Sequence, residues 1–297
     1  MDARALVMGL AFAAMWSSAF ASARIIVADA PPLAALAVRF LISGALAVGI
    51  AAALGQSWRL TPAQARATLL FGICQNALYL GLMFVAMQTV EASLAAIIAS
   101  TMPLLVALAS WLAFGERLPP MGVAGLAAGL AGVGLIMGTR LQGGADAGGV
   151  ALCVIAVVAL MVATLAVRGA SSGGNVLMIV GLQMLVGSAA LLVPAALFET
   201  WTVTPSWRLA AAFAYTTLVP GLGATLVWFL LVRRIGATRA ASFHFLNPFL
   251  GVAIAAAVLG EAIGWTDVLG VAIVMAGILA VQRARAAPGV PLSESRP

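Results

Sequence analysis

Lysine is absent from the chain, histidine occurs once, as His244, and charged residues of all kinds make up only 8% of the 297 positions. Against 64% hydrophobic residues and a mean hydropathy of +1.14, so little polar surface cannot cover a water-soluble globule of this size. The chain reads as a polytopic membrane protein. Ten spans of roughly 20 residues would use about two thirds of it, leaving connections too short for a soluble enzymatic or nucleic-acid-binding module. The two cysteines, Cys74 and Cys153, fall inside apolar runs without His, Asp or Glu at a ligand spacing. That argues against a disulfide or a metal site, and nothing in the sequence calls for a cofactor.

Acid is missing where it would matter most. Asp2, Asp29, Glu91, Glu116, Asp146, Glu199, Glu261, Asp267 and Glu294 all lie at span edges, in loops or in the tail. No carboxylate is therefore available at mid-membrane to exchange a proton for a cation. Nor is one available to orient His244 in a Ser-His-Asp hydrolase, which disfavours intramembrane hydrolysis. All fifteen basic residues are Arg, and the net charge of +6 reads as topology and lipid-headgroup contact, with no nucleic acid implied.

What is present is apolar periodicity broken by turns. The spans fall near 5–27, 33–54, 66–87, 92–113, 121–139, 147–167, 175–197, 208–231, 237–258 and 265–283. Between them stand Asp29-Ala30-Pro31-Pro32, Gly55-Gln56-Ser57, Pro119-Pro120, Gly143-Gly144 and Ser171-Ser172-Gly173-Gly174. The segment from Glu91 to Arg140 recurs without a gap as Gly236 to Arg285, at a constant offset of 145 residues. Pro103 falls on Pro248, Gly115-Glu116 on Gly260-Glu261, and Arg140 on Arg285. An odd number of spans per copy turns the second copy upside down, so the expected architecture is all-α, ten transmembrane helices in two inverted five-helix repeats. The repeats are read as 1–140 and 141–285, followed by a tail at 286–297. The small-residue run Ala19-Phe20-Ala21-Ser22-Ala23 resembles a signal-peptide cleavage site. The first apolar stretch is nevertheless longer than a typical signal core and has a weak partner at offset 144, where Arg24 meets Arg168, so it is kept as a helix.

The arginines orient the chain. Eleven fall on the side of the N-terminus (Arg4, Arg59, Arg66, Arg117, Arg168, Arg233, Arg234, Arg239, Arg283, Arg285, Arg296) and three on the other (Arg24, Arg140, Arg208). Cytoplasmic loops accumulate Arg, which places both termini in the cytoplasm. Arg39, one or two turns inside the second span, is expected to snorkel to the outer interface.

Pro103 and Pro248 lie near mid-membrane, where proline frees a backbone carbonyl that must be covered by protein or line a wet cavity. They are either packing devices or, given their symmetric placement, a shared hinge. Polar groups gather nearby: Ser100 and Thr101 before Pro103, His244 and Asn247 before Pro248, Gln75, Asn76 and Tyr79 on the third span, and Ser17 and Ser18 beside Trp16. Such groups bond across helices or line a pathway; Ser and Thr also bond their own helix, and His244 could equally be a structural histidine. Trp16 sits at a span centre, whereas Trp58, Trp111, Trp201, Trp207, Trp228 and Trp265 read as an interfacial belt. Trp16, Asn76, Tyr79, Ser100, Thr101, His244 and Asn247 are the candidate substrate-binding residues, with Pro103 and Pro248 as hinges. Glu116 and Glu261 read as caps or Arg partners at helix junctions, and the glycines at 122, 125, 129, 132 and 134 as close-packing sites.

The run from Glu91 through Pro103 to Gly115-Glu116-Arg117-Leu118, followed by a Gly-rich helix and repeated from Ala237 to Gly277, resembles the repeat of the EamA family in the drug/metabolite transporter superfamily. Within it the chain is most similar to amino-acid exporters of the YddG type. The resemblance implies a ten-helix inner-membrane exporter whose central cavity is lined by the first, third, fourth, sixth, eighth and ninth helices. The expected partners are a small-molecule substrate (amino acids) and the lipid bilayer, with the protein a monomer or weak homodimer. Efflux of lipophilic cations or drugs, and a non-transporting membrane scaffold, remain as rivals.

Overall fold

The computed structural model describes residues 2–166 and 174–286. Arg168, the Ser171-Ser172-Gly173 joint and the tail with Glu294 and Arg296 lie outside the described residues. Among the described residues ten helices are long and apolar enough to cross a membrane: α1 (Ala3–Asp29), α2 (Pro32–Ala53), α3 (Pro62–Ala86), α4 (Ala92–Phe114), α5 (Pro120–Gln142), α6 (Ala147–Ala166), α7 (Val176–Phe198), α8 (Trp207–Ile235), α9 (Arg239–Leu259) and α10 (Trp265–Arg285). The boundaries agree with the sequence expectation to within four residues at every end. Among the described residues there is no strand.

Local chemistry sets the ends. Asp2 caps α1 by accepting from the Ala5 amide at 2.9 Å. Outside the membrane span, the Arg234 hydrogen bond, followed by that amide, holds the Asp2 carboxyl down to about 2. Thr61 and Gln64 form a reciprocal capping box on α3, with Pro62 in the first turn. The Asp146 carboxyl, which accepts from the Thr89 hydroxyl at 2.7 Å and from the Gly149 and Gly148 amides, lies below its usual range for those reasons in that order. The paired Gly-Glu motif has a backbone cause. Both α4 and α9 end on a left-handed residue, Gly115 at φ 65° and Gly260 at φ 71°, which a side chain would strain.

Other helix starts are capped from the opposite repeat. Glu261 accepts from the Ala92 and Ser93 amides at 2.7 and 2.9 Å, at the start of α4. Glu199 accepts from the Leu33 and Ala34 amides at 2.7 and 2.9 Å, at the start of α2. In the other direction, Gln56 accepts from the Met178 amide at 3.0 Å, in the first turn of α7. Carboxylates at helix N-termini satisfy orphan amides and favour the helix dipole.

Packing follows the glycines, with Gly134 a correction: a Cβ there would meet nothing within 4 Å, so it faces away from the contact the sequence implied. α5 lies against α10, and a Cβ on Gly277 would stand 2.6 Å from the Gly125 carbonyl oxygen. In the same way α2 lies against α7, where a Cβ on Gly44 would stand 2.9 Å from the Gly181 oxygen. Between these two pairs sit two three-helix groups, α1 with α8 and α9, and α6 with α3 and α4. The groups exchange under the 145-residue relation, as expected for inverted repeats. They meet mainly toward the face opposite the N-terminus, where Ala92–Ala99 of α4 packs on α1 and on Asn247–Leu259 of α9. Every residue from Ala92 to Ile98 is buried there.

Four helices change winding near mid-span. α3 is π-helical over Gly72–Tyr79 and α8 over Thr217–Gly223, so the two π segments begin at the same 145-residue offset. α4 turns at Ser100 and Thr101 and restarts at Met102, while α9 narrows to a 3-10 helix over Ser242–Leu246 and restarts at Asn247. Pro103 and Pro248 each occupy the first turn of the restarted segment, where a missing amide hydrogen costs nothing.

Candidate functional site

A cavity of about 90 Å³ lies between the two groups, with Trp16 of α1, Arg39 of α2, Asn76 and Tyr79 of α3, Met184 of α7 and Gly221 of α8 among its lining residues. Its walls come from α1, α2, α3, α7 and α8, which departs from the set of helices implied by family resemblance: α2 and α7 take part, and α4, α6 and α9 do not. The reason is packing: the Ala92–Ile98 half of α4 is buried among its neighbours. The π turns put the wall residues in place, Asn76 and Tyr79 on one and Pro220 and Gly221 on the other. No carboxylate lines the cavity.

Trp16, Asn76 and Tyr79 are thus brought together. Asn76 is fixed by donating from Nδ2 to the Gln183 carbonyl of α7 at 2.9 Å, and a Cβ on Gly187 would collide with it at 2.4 Å. Tyr79 is 3% exposed, and its hydroxyl makes no hydrogen bond with the described residues. Ser100 and Thr101 are buried and turned inward to their own helix, donating to the Ile97 and Ile98 carbonyls at 2.6 Å each.

His244 and Asn247 form a second cluster beside the first. The His244 ring lies 5.2 Å from Phe12, 5.3 Å from Trp228 and 6.2 Å from Trp16, edge-on to Phe12 and Trp16. Its Nδ1 is 2.9 Å from Asn247 Nδ2, and Asn247 Oδ1 accepts from the Ser17 hydroxyl at 3.4 Å. The carbonyl of His244, four residues before Pro248, is taken up by the Asn247 amide. Trp16 belongs to both clusters, lining the cavity while facing the histidine edge. Trp228, read from the sequence as an interfacial tryptophan, packs 4.9 Å from Phe12 in this aromatic group.

Arg39 is a second correction. It does not snorkel; it is 6% exposed, lines the cavity, and places its guanidinium carbon 5.2 Å from the centroid of the Phe40 ring. Hydropathy gives the depth of a residue but not which way it faces. The position, one turn or two from the helix end, misled because α2 presents that side to α3 and α8 rather than to lipid.

Ion pairs tie the ends. Opposite the N-terminus, Arg140 donates to Asp267 at 3.1 and 2.8 Å, to Glu91 and to the Ala262 carbonyl at 3.2 Å. Arg24 donates to the Met87 and Gln88 carbonyls, joining α1 to the end of α3. On the N-terminal side Arg285 pairs with Glu116 at 2.9 Å. Glu116 and Glu261 therefore act at junctions, as the sequence implied.

Comparison with known proteins places this geometry. A family model described as "EamA-like transporter family" matches residues 3–138 and 147–282, one match per half. The chain is 27% identical over 276 residues to "Uncharacterized transporter YvbV" of Bacillus subtilis (strain 168), covering 90% of this chain and 88% of that protein. It is 26% identical over 276 residues to "Uncharacterized inner membrane transporter YedA" of Escherichia coli (strain K12), covering 90% of this chain and 87% of that protein. A crystal structure 24% identical to the chain covers 97% of it and 100% of its own length with a TM-score of 0.70, a likeness of fold.

Proposed function

The chain belongs to the EamA-like transporter family, and on that premise we propose that it is an inner-membrane exporter of amino acids and related small metabolites, of the YddG type. Two inverted halves rock about the α4 and α9 restarts at Pro103 and Pro248 and expose the central cavity alternately to the two faces. The observation that carries this reading is the cavity between the exchanging groups, lined by aromatic and polar residues and by no carboxylate. Aromatic faces and hydrogen-bonding tips accommodate a zwitterion, whereas a lipophilic cation would find no counter-charge there. The Arg bias supports a cytoplasmic location for both termini. The buried Ala92–Ile98 segment, the Glu261 cap and the Arg24 clasp then close the outward face, and these contacts part when the cavity opens outward.

Candidate substrate contacts are Trp16, Asn76 and Tyr79 on the cavity wall. Ser100, Thr101, His244 and Asn247 support the winding changes of α4 and α9 from behind. Without a buried carboxylate, transport runs down the substrate gradient and needs no proton. Counterflow of labelled amino acids into proteoliposomes, with and without an ionophore, tests this. Flux in both conditions is expected; no amino-acid flux, or flux abolished by the ionophore, defeats the corresponding part of the reading.

A further inference from the structure

Arg39 is the only basic residue among the described residues that is buried, and apart from the Phe40 ring, 5.2 Å away, its guanidinium has no partner around it. It makes no hydrogen bond or ion pair with any described residue, and its Nε is sealed from solvent without a partner. The Ser43 and Thr216 hydroxyls donate to the Arg39 carbonyl at 2.9 Å and to the Ala212 carbonyl at 2.6 Å, and neither oxygen accepts from the guanidinium. The head group reaches across to the π turn of α8, where a Cβ on Gly221 would stand 3.4 Å from Nη2. An Arg kept for structure would be expected to spend its five donors on carbonyls or a carboxylate. Here the side chain instead lines a cavity shared with Trp16, Asn76 and Tyr79.

We infer that Arg39 is the anchor for a carboxylate on the transported solute. A guanidinium presents a planar fork that matches a carboxylate bidentately, and low dielectric strengthens that pairing. The cavity carries one fixed positive charge and no negative one, so it favours solutes with an anionic group and repels lipophilic cations. A zwitterion fits when its carboxylate points to Arg39 and its ammonium lies over the faces of Trp16 and Tyr79, with its side chain against Phe20, Phe84 and Met184. Because the cavity is only about 90 Å³ in this closed form, the solute enters as the two groups part. This deepens the export reading and rests on it for the direction of transport, but not for the charge preference.

The test uses the full chain in proteoliposomes and in detergent. Counterflow of labelled L-phenylalanine is competed with L-phenylalaninamide, which lacks the carboxylate, with 3-phenylpropionate, which lacks the ammonium, and with tetraphenylphosphonium. Binding of the same four probes is read by thermal stabilisation. Phenylalanine and 3-phenylpropionate should bind at least about thirtyfold more tightly than the amide or the cation, the span expected for losing one partner of a buried charge pair. Arg39→Gln should erase that preference and Arg39→Lys should keep part of it. The anchor is refuted if the wild type binds the amide as tightly as the amino acid, or if folded Arg39→Gln keeps the carboxylate preference; the first comparison needs no variant and holds even if a substitution impairs folding. Amino-acid flux without a carboxylate preference would remove the anchor and leave the export reading. Arg39-dependent binding of 3-phenylpropionate without amino-acid flux would do the reverse.

Discussion

Neutralising Glu261 should loosen the protein without changing what it transports. The carboxylate accepts from two amides, Ala92 at 2.7 Å and Ser93 at 2.9 Å, and both residues are buried, at 0% and 1% exposure. Glu261→Gln keeps one acceptor but turns an NH2 group toward the second amide and removes the charge at the start of α4. Hydrogen bonds to a charged group contribute about 1.5–3 kcal/mol, and a lost cap costs about 0.5–2 kcal/mol. With one bond retained, Gln should cost about 1–2 kcal/mol and Glu261→Ala, which loses both, about 2–3 kcal/mol. Thermal unfolding in detergent should therefore rank wild type above Gln above Ala, with the midpoint falling by several degrees. The competition order among amino acids in proteoliposomes should stay the same. A Gln variant of wild-type stability that binds no substrate would refute the capping argument and make Glu261 part of the substrate path.

Gly277→Ala should separate α5 from α10 and cost about 1–3 kcal/mol, since its Cβ would stand 2.6 Å from the Gly125 oxygen; Gly134→Ala, with nothing within 4 Å, should be neutral or slightly stabilising. The pair is compared by unfolding midpoint, and equal effects would disprove the close-packing account. Tyr79→Phe should lower amino-acid counterflow several-fold with folding intact, through loss of a proposed hydrogen bond to the solute of about 1 kcal/mol; unchanged flux removes the hydroxyl from the site. His244→Ala should instead lower stability by roughly 2 kcal/mol, because it empties the space beside Phe12, Trp16 and Trp228 and takes from Asn247 Nδ2 its His244 partner. Cysteines placed at either terminus should react only from the cytoplasmic side, and labelling from outside would overturn the orientation.

The parts of the fold that were legible in the sequence are those set by hydropathy and by repetition. Ten spans, the inverted halves and the junction role of Gly115-Glu116 and Gly260-Glu261 all follow from apolar run lengths, the 145-residue offset and the left-handed glycine. The π turns of α3 and α8 were not legible, because widening a helix by one residue per turn is decided by neighbours and leaves no local signature. Direction was the other blind spot. Arg39 and Trp228 were assigned by distance from a span end, yet both turn toward other helices. Ser100 and Thr101 sit at mid-span as expected, but their hydroxyls are taken by carbonyls three residues earlier, a choice that spacing alone leaves open.

The crossed caps also impose an order on how the protein is made. Ribosomes deliver the first repeat first, so α2 and α4 enter the bilayer before Glu199 and Glu261 exist as residues of the nascent chain. Until then the amides of Leu33, Ala34, Ala92 and Ser93 lack their final acceptors, and interfacial water must serve them. The first repeat therefore waits, inserted but unfinished, until about nine tenths of the chain has been synthesised. Split between two genes, the halves would each insert and then have to find one another in the plane of the membrane before either was complete.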